Sequence, residues 1–105
     1  MAELKNTLYE FEFEDGDKCN MTLAFYALYQ LKAKNKSLYE RYNKVMTKGA
    51  EEELDMITVL YAAYLCANIG DVENCMNETE FMIKCGSDRV ALKNAMEVLI
   101  KPKKR

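Results

Sequence analysis

Residues Met56 to Ala67 read MITVLYAAYLCA, twelve in a row with Thr58 the one clearly polar side chain. A helix of this composition has no wet face and must be covered on every side. A bilayer is the wrong cover. Crossing one takes about 20 apolar residues, and this run is twelve long, with Glu51, Glu52, Glu53 and Asp55 pressed against its start. Two covers remain. Either the run is a central core helix wrapped by its own chain, or one side rests on the core and the other on a second protein. A chain of 105 residues supports one core and covers its own elements incompletely. Tyr61 and Tyr64 also need outlets for their hydroxyls, and tyrosines of this kind are common in interface cores. Ile57, Leu60, Tyr61, Tyr64 and Leu65 are therefore candidate partner-binding residues, and both readings stay open.

The rest of the sequence describes a small, mainly α domain of about five helices with an N-terminal β-strand or hairpin, filling residues 1–100. No repeat, linker or low-complexity segment interrupts it. TLYEFEFEDGD alternates strictly: Tyr9, Phe11 and Phe13 share one face, and Leu8, Glu10, Glu12 and Glu14 the other. That is the period of a half-buried strand, expected at about 7–14. Asp15-Gly16-Asp17 is a turn. The strand pairs either with residues near Lys18–Thr22 or, through an open edge at Tyr9, Phe11 and Phe13, with another chain. A first helix is expected from Thr22 to about Lys34, with Phe25, Leu28, Tyr29 and Leu31 on its apolar side and Asn35 as its stop. Ser37 and Glu40 read as a capping box opening a second helix, with Leu38, Tyr39, Tyr42, Val45 and Met46 apolar and Gly49 ending it. Glu51–Glu53 put negative charge at the start of the third helix, which stops near Asn68. Residues 70–77 read as a loop. Asn77 and Glu80 form a second capping box, and Gly86 ends the helix it starts. The last helix runs from Ser87 through Val90, Leu92, Ala95, Met96, Leu99 and Ile100 to a stop at Pro102. The final residues, KPKKR, are a basic tail.

Chemistry is constrained mostly by what is missing. The sequence has no His, which removes Ser-His and Cys-His nucleophilic pairs and most zinc sites. Cys19, Cys66, Cys75 and Cys85 contain no CxxC pair, so zinc-ribbon and thioredoxin-like readings fail on spacing. Without a secretory signal in MAELKN, these thiols are expected to be reduced, and Cys66 reads as a small core residue. Glu10, Glu12, Glu14, Asp15 and Asp17 lack the closing carboxylate of a calcium loop and read as a solvated strand face. No residue set nominates an enzyme, a metal or a cofactor. Tyr26, Tyr29, Tyr39 and Tyr42, beside Lys32, Lys34, Lys36, Arg41 and Lys44, have the ingredients of a stacking surface for single-stranded nucleic acid. The net charge of −2 argues against that use, because without its basic tail the body carries 11 bases against 17 acids. Seven methionines suit either a surface that accepts variable partners or core filling.

The order of these elements carries a resemblance. An aromatic strand, YEFEF, leads into an apolar helix, TLAFYALYQL, then a basic helix. An acid-led apolar helix, EEELDMITVLYAAYLCAN, follows, then a short acidic helix, ETEFMIKCG, and a closing amphipathic one, ALKNAMEVLI. From Tyr9 to Ile100 this resembles the tail assembly chaperones of long-tailed, siphovirus-like phages and of prophages in Gram-positive bacteria. The resemblance is one of order and hydrophobicity and includes no catalytic signature. It implies a small, mostly helical, non-enzymatic protein of the host bacterial cytoplasm. Such a protein binds the tape measure protein, keeps it soluble while tube subunits polymerise around it, often self-associates without its client, and is absent from the finished virion. It also implies that a longer, frameshifted form can arise near Lys103-Lys104. On this reading a client helix lies between the 56–67 helix and the first helix, contacting Phe25 and Tyr29 as well as the five central positions. The rivals are a self-associating structural or adaptor module and, less favoured, a nucleic-acid-binding regulator.

Overall fold

A computed structural model describes residues 8–100. The basic tail, the stop at Pro102 and the Lys103-Lys104 pair lie outside them. The chain runs as β1 (Tyr9–Glu12), β2 (Lys18–Met21), α1 (Phe25–Lys34), α2 (Lys36–Lys48), α3 (Glu53–Ala67), α4 (Glu78–Cys85) and α5 (Arg89–Ile100). The mainly α domain with an N-terminal hairpin is thus the observed architecture.

β1 and β2 pair antiparallel with Tyr9 opposite Met21 and Glu12 opposite Lys18. The strand therefore finds its partner within the chain. The turn is tied by Asp17 N–H donating to the Asp15 carboxylate at 2.9 Å and Phe13 N–H donating to Asp17 C=O at 2.7 Å. Phe11 and Phe13 turn inward and meet edge to face, 5.2 Å between ring centres.

The first helix starts three residues later than the apolar pattern predicts. Thr22 lies outside the helix: its N–H donates to Ala63 C=O in α3 at 3.1 Å, and its hydroxyl accepts from Ala24 N–H at 3.3 Å. These two bonds, a Ser/Thr-type turn and a bond across to α3, hold the chain ahead of Phe25 in a non-helical course. Asn35 stops α1 as expected and also opens α2, accepting from Leu38 N–H at 3.2 Å. The Ser37 box is thereby displaced, with Ser37 already inside the helix. Gly49 ends α2 at φ 94°. At α3 the Asp55 carboxylate accepts from Glu51 N–H at 2.8 Å and Glu52 N–H at 3.3 Å, and Asn68 is the C-cap. The expected loop after it is partly ordered: two short 3-10 turns occupy Ile69–Asn74, broken at Asp71. The Asn77–Glu80 box and the Gly86 stop of α4 stand as the sequence indicates. The last helix begins at Arg89, after Asp88 rather than Ser87; the Asp88 carboxylate accepts from Ala91 N–H at 3.1 Å. Of the apolar positions read along this helix, Leu92 and Ala95 are buried, whereas Val90 and Ile100 are exposed.

The acidic turn is not simply solvated. Lys84 on α4 reaches both Asp15 and Asp17 at 2.6 Å and lies over the Phe13 ring at 5.2 Å. Glu14 accepts from Ser87 N–H at 3.2 Å. The hairpin tip is thus fastened to the end of α4. Gly86 sits there at φ +67°, and a Cβ on it would overlap the Glu14 carboxylate. Gly86→Ala is expected to cost about 1–3 kcal/mol, from left-handed strain and loss of the Glu14 contact, read as a lower midpoint in chemical denaturation. An unchanged midpoint would contradict this account of the clasp.

Candidate docking face on the first helix

The apolar run of α3 is enclosed. Val59 through Cys66 are all buried, with Ile57, and Leu60 is 0 % exposed. Both tyrosine hydroxyls find their outlet inside the chain: Tyr61 O–H donates to Met76 C=O at 2.8 Å, and Tyr64 Oη accepts from Met76 N–H at 2.9 Å. One backbone unit after the 3-10 turns thus satisfies two core tyrosines. Phe81, fully buried on α4, lies 5.3 Å from Tyr61, 5.4 Å from Tyr64 and 5.7 Å from Phe13, ring centre to ring centre. Four aromatic rings therefore lock hairpin, α3 and α4 together. Of the two covers open for this helix, the structure shows the one within the chain: Ile57, Leu60, Tyr61, Tyr64 and Leu65 are all buried. Neighbouring elements cover them, and the folded domain presents none of them to a partner. Phe11 and Phe13 are likewise core, and Tyr9 is half-buried. α1 packs its Ala27 and Leu31 side toward the core.

Burial also fixes how the enclosed groups titrate. Removal from water pushes the Tyr42 and Tyr61 phenols up to about 12, the Cys19 and Cys66 thiols up to about 12 and the Cys85 thiol up to about 11. Each is neutral when protonated, and each folded value lies above the ordinary one. Their contribution to stability is therefore complete below about pH 8.5 and is lost as pH rises through the folded values. Thermal melts in alkali are expected to show the midpoint falling from about pH 9 upward; a midpoint flat to about pH 11 would contradict the burial.

The two remaining sequence candidates lie together on the outside. Phe25 is 89 % exposed and Tyr29 72 %, with Tyr26 at 70 %. They occupy adjacent turns of α1. Tyr26 and Tyr29 stack with ring centres 6.5 Å apart and planes 27° from parallel, and Gln30 donates to the Tyr26 hydroxyl at 2.9 Å. Nothing on α1 is acidic. Lys32, Lys34 and Lys36 are exposed at the far end of the same helix and its junction with α2. Lys32 lies over the Tyr39 ring at 5.6 Å, and Lys36 approaches Glu40 at 4.0 Å. Arg41, by contrast, is committed to Glu78 through two hydrogen bonds of 3.0 and 2.7 Å, pinning α2 to α4. Tyr42 is buried, so the tyrosines do not form the continuous stacking surface their spacing allows.

Elsewhere the surface offers less. A groove of about 360 Å³ between the end of α2 and the start of α3 is lined by Lys44, Lys48, Asp55 and Thr58 among others. Ile83 on α4, Val90 and Val98 on α5, Leu54 on α3 and Leu8 are further exposed apolar side chains. Among the described residues no three His, Cys, Asp or Glu side chains gather as a metal site, and no helix is long and apolar enough to cross a membrane. Comparisons with protein-family models, curated proteins and solved structures find no match for this chain.

Proposed function

We propose that this chain is a tail assembly chaperone that binds the tape measure protein and keeps it soluble during tail tube assembly. The observation that carries the reading is the exposed aromatic face of Phe25, Tyr26 and Tyr29. Three large rings stand in water on adjacent turns of one short helix, and clustered exposed apolar surface marks a place where something docks. The order of elements, with a hairpin ahead of five helices, agrees with the resemblance seen in the sequence. A long helical client with uncovered apolar stripes aggregates unless a partner covers them, and a rigid aromatic face on one short helix can do so reversibly.

The test is co-expression of the chain with the tape measure protein from the same tail gene cluster. The soluble share of the long protein should rise several-fold, and the chain should co-purify with it. Phe25→Asp with Tyr29→Asp, both outside the core, should leave the melting midpoint near the wild-type value and abolish the rise. A tape measure protein equally insoluble with and without the chain would overturn the proposal.

A second reading, a self-associating adaptor, is favoured by charge segregation. Residues 25–48 carry six bases and one acid, whereas the other described residues carry four bases and fifteen acids. Such a molecule can bind copies of itself head to tail. Sedimentation at low and high salt, with no client present, measures that tendency.

A further inference from the structure

We infer that the Asp15-Gly16 bond at the hairpin tip is a site of succinimide formation and isoaspartate modification, restrained by the Lys84 clasp. The reaction joins a side-chain carboxyl carbon to the backbone nitrogen of the next residue in a five-membered ring. Bulk on that next residue impedes the approach, so glycine, with no Cβ, is the most permissive neighbour. Of all the Asp and Asn residues in the sequence, Asp15 alone is followed by Gly. Nothing in space blocks the bond. The Asp15 side chain is half exposed, Gly16 sits at φ 94°, and a Cβ placed on Gly16 would meet no other atom within 4 Å.

What holds the reaction back is bonding. The Asp15 carboxylate accepts from Lys84 Nζ on one oxygen at 2.6 Å and from Asp17 N–H on the other at 2.9 Å. Gly16 N–H, the attacking group, is engaged with Phe13 C=O at 3.0 Å. Lys84 is itself fixed by Asp17 at 2.6 Å and by the Phe13 ring beneath it. The Lys84 ammonium, with the Asp17 amide, holds the Asp15 carboxyl below its ordinary value. It therefore stays ionised, and an ionised carboxylate gives up an oxygen poorly.

The steps balance with water as the one other reactant. The Gly16 nitrogen bonds to Asp15 Cγ, and the amide proton leaves with the carboxyl OH as water. Water then adds back to the ring. Breaking the N–Cγ bond restores Asp15. Breaking the bond between the Gly16 nitrogen and the Asp15 backbone carbonyl carbon leaves the chain running through Cγ, an isoaspartate of unchanged mass. No electrons are exchanged. The extra backbone methylene upsets the spacing by which Asp17 N–H reaches the Asp15 side chain and Phe13 N–H reaches Asp17 C=O. The modified tip thereby loses its hold on α4.

The experiment incubates the full chain at neutral pH, below its melting transition. The tip peptide is followed by chromatography and electron-transfer fragmentation, which separate isoaspartate from aspartate at equal mass. The wild-type chain should convert slowly at Asp15. Lys84→Met should accelerate conversion several-fold, whereas Lys84→Arg, which keeps the charge and the donors, should stay near the wild-type rate. Leu92→Ala loosens the core away from the clasp and, while folded, should also convert near the wild-type rate. The purified isoaspartyl chain should melt below the unmodified one. Equal rates in wild type and Lys84→Met would overturn the inference, as would equal acceleration by Leu92→Ala, which would assign the effect to lost stability. Absence of isoaspartate at Asp15 even in Lys84→Met would remove the site altogether.

Discussion

Leu60→Asp is expected to abolish cooperative folding. Leu60 is fully buried at the centre of α3, a helix that packs against β2, the other helices and the 3-10 segment. An ionised carboxylate placed there has no cation within the core, and an uncompensated buried charge costs several kcal/mol even after the structure relaxes. A domain of this size has about 5–15 kcal/mol in all, and the same substitution also removes a packed Leu worth about 2–5 kcal/mol. The expected result is loss of a cooperative thermal transition by circular dichroism. Leu60→Ala should instead stay folded with a depressed midpoint. If α3 kept one side for a partner, Leu60→Asp would melt cooperatively and lose only association, so a sharp wild-type-like transition would contradict the enclosed helix.

Phe81→Ala carries the second large effect. Its ring contacts Phe13, Tyr61 and Tyr64 at once, so truncation empties the junction of hairpin, α3 and α4. Removing a buried Phe costs about 3–5 kcal/mol, which for a domain of about 100 residues lowers Tm by roughly 12 °C or more. A more specific consequence concerns Met76. Its amide and carbonyl are held by Tyr64 and Tyr61, whose rings lean on Phe81. Exchange at the Met76 amide should therefore quicken more than exchange in α2, which lies outside this junction. Uniform quickening across all helices would mean that the ring cluster does not hold the 3-10 segment in place.

Much of this fold is legible in the sequence where local rules decide. Gly49, Asn68, the Asn77–Glu80 box and Gly86 mark helix ends through backbone geometry and side-chain reach, which neighbours in space seldom overrule. The hairpin is legible because alternation and an Asp-Gly-Asp turn agree. Failures occur where tertiary contacts take over. Thr22 reads as helix but spends its amide on Ala63, across the fold, and no local pattern announces that. Ser37 loses to Asn35 because both can cap within two residues, and the sequence does not rank them.

The site was half legible. Phe25 and Tyr29 were candidates, but as partners of α3 rather than as a face of their own. FYALYQL is apolar almost throughout, so its period does not say which side is buried. Size points the wrong way: small Ala27 packs inward, and the large rings at 25, 26 and 29 are left outside. In α3 the uniform apolarity was the true signal, since a helix without a wet face is a covered helix. The separation of bases in 25–48 from acids elsewhere was readable by counting.

The central claim is that partners dock on α1 and leave α3 untouched. Amide hydrogen exchange of the chain, free and in complex with the tape measure protein, tests it most directly. The account predicts a soluble complex in which exchange slows across residues 25–36, while 57–66 exchange slowly and equally in both states. Failure to form a complex, or added protection that bypasses α1 and appears on the hairpin or on α3, would contradict it.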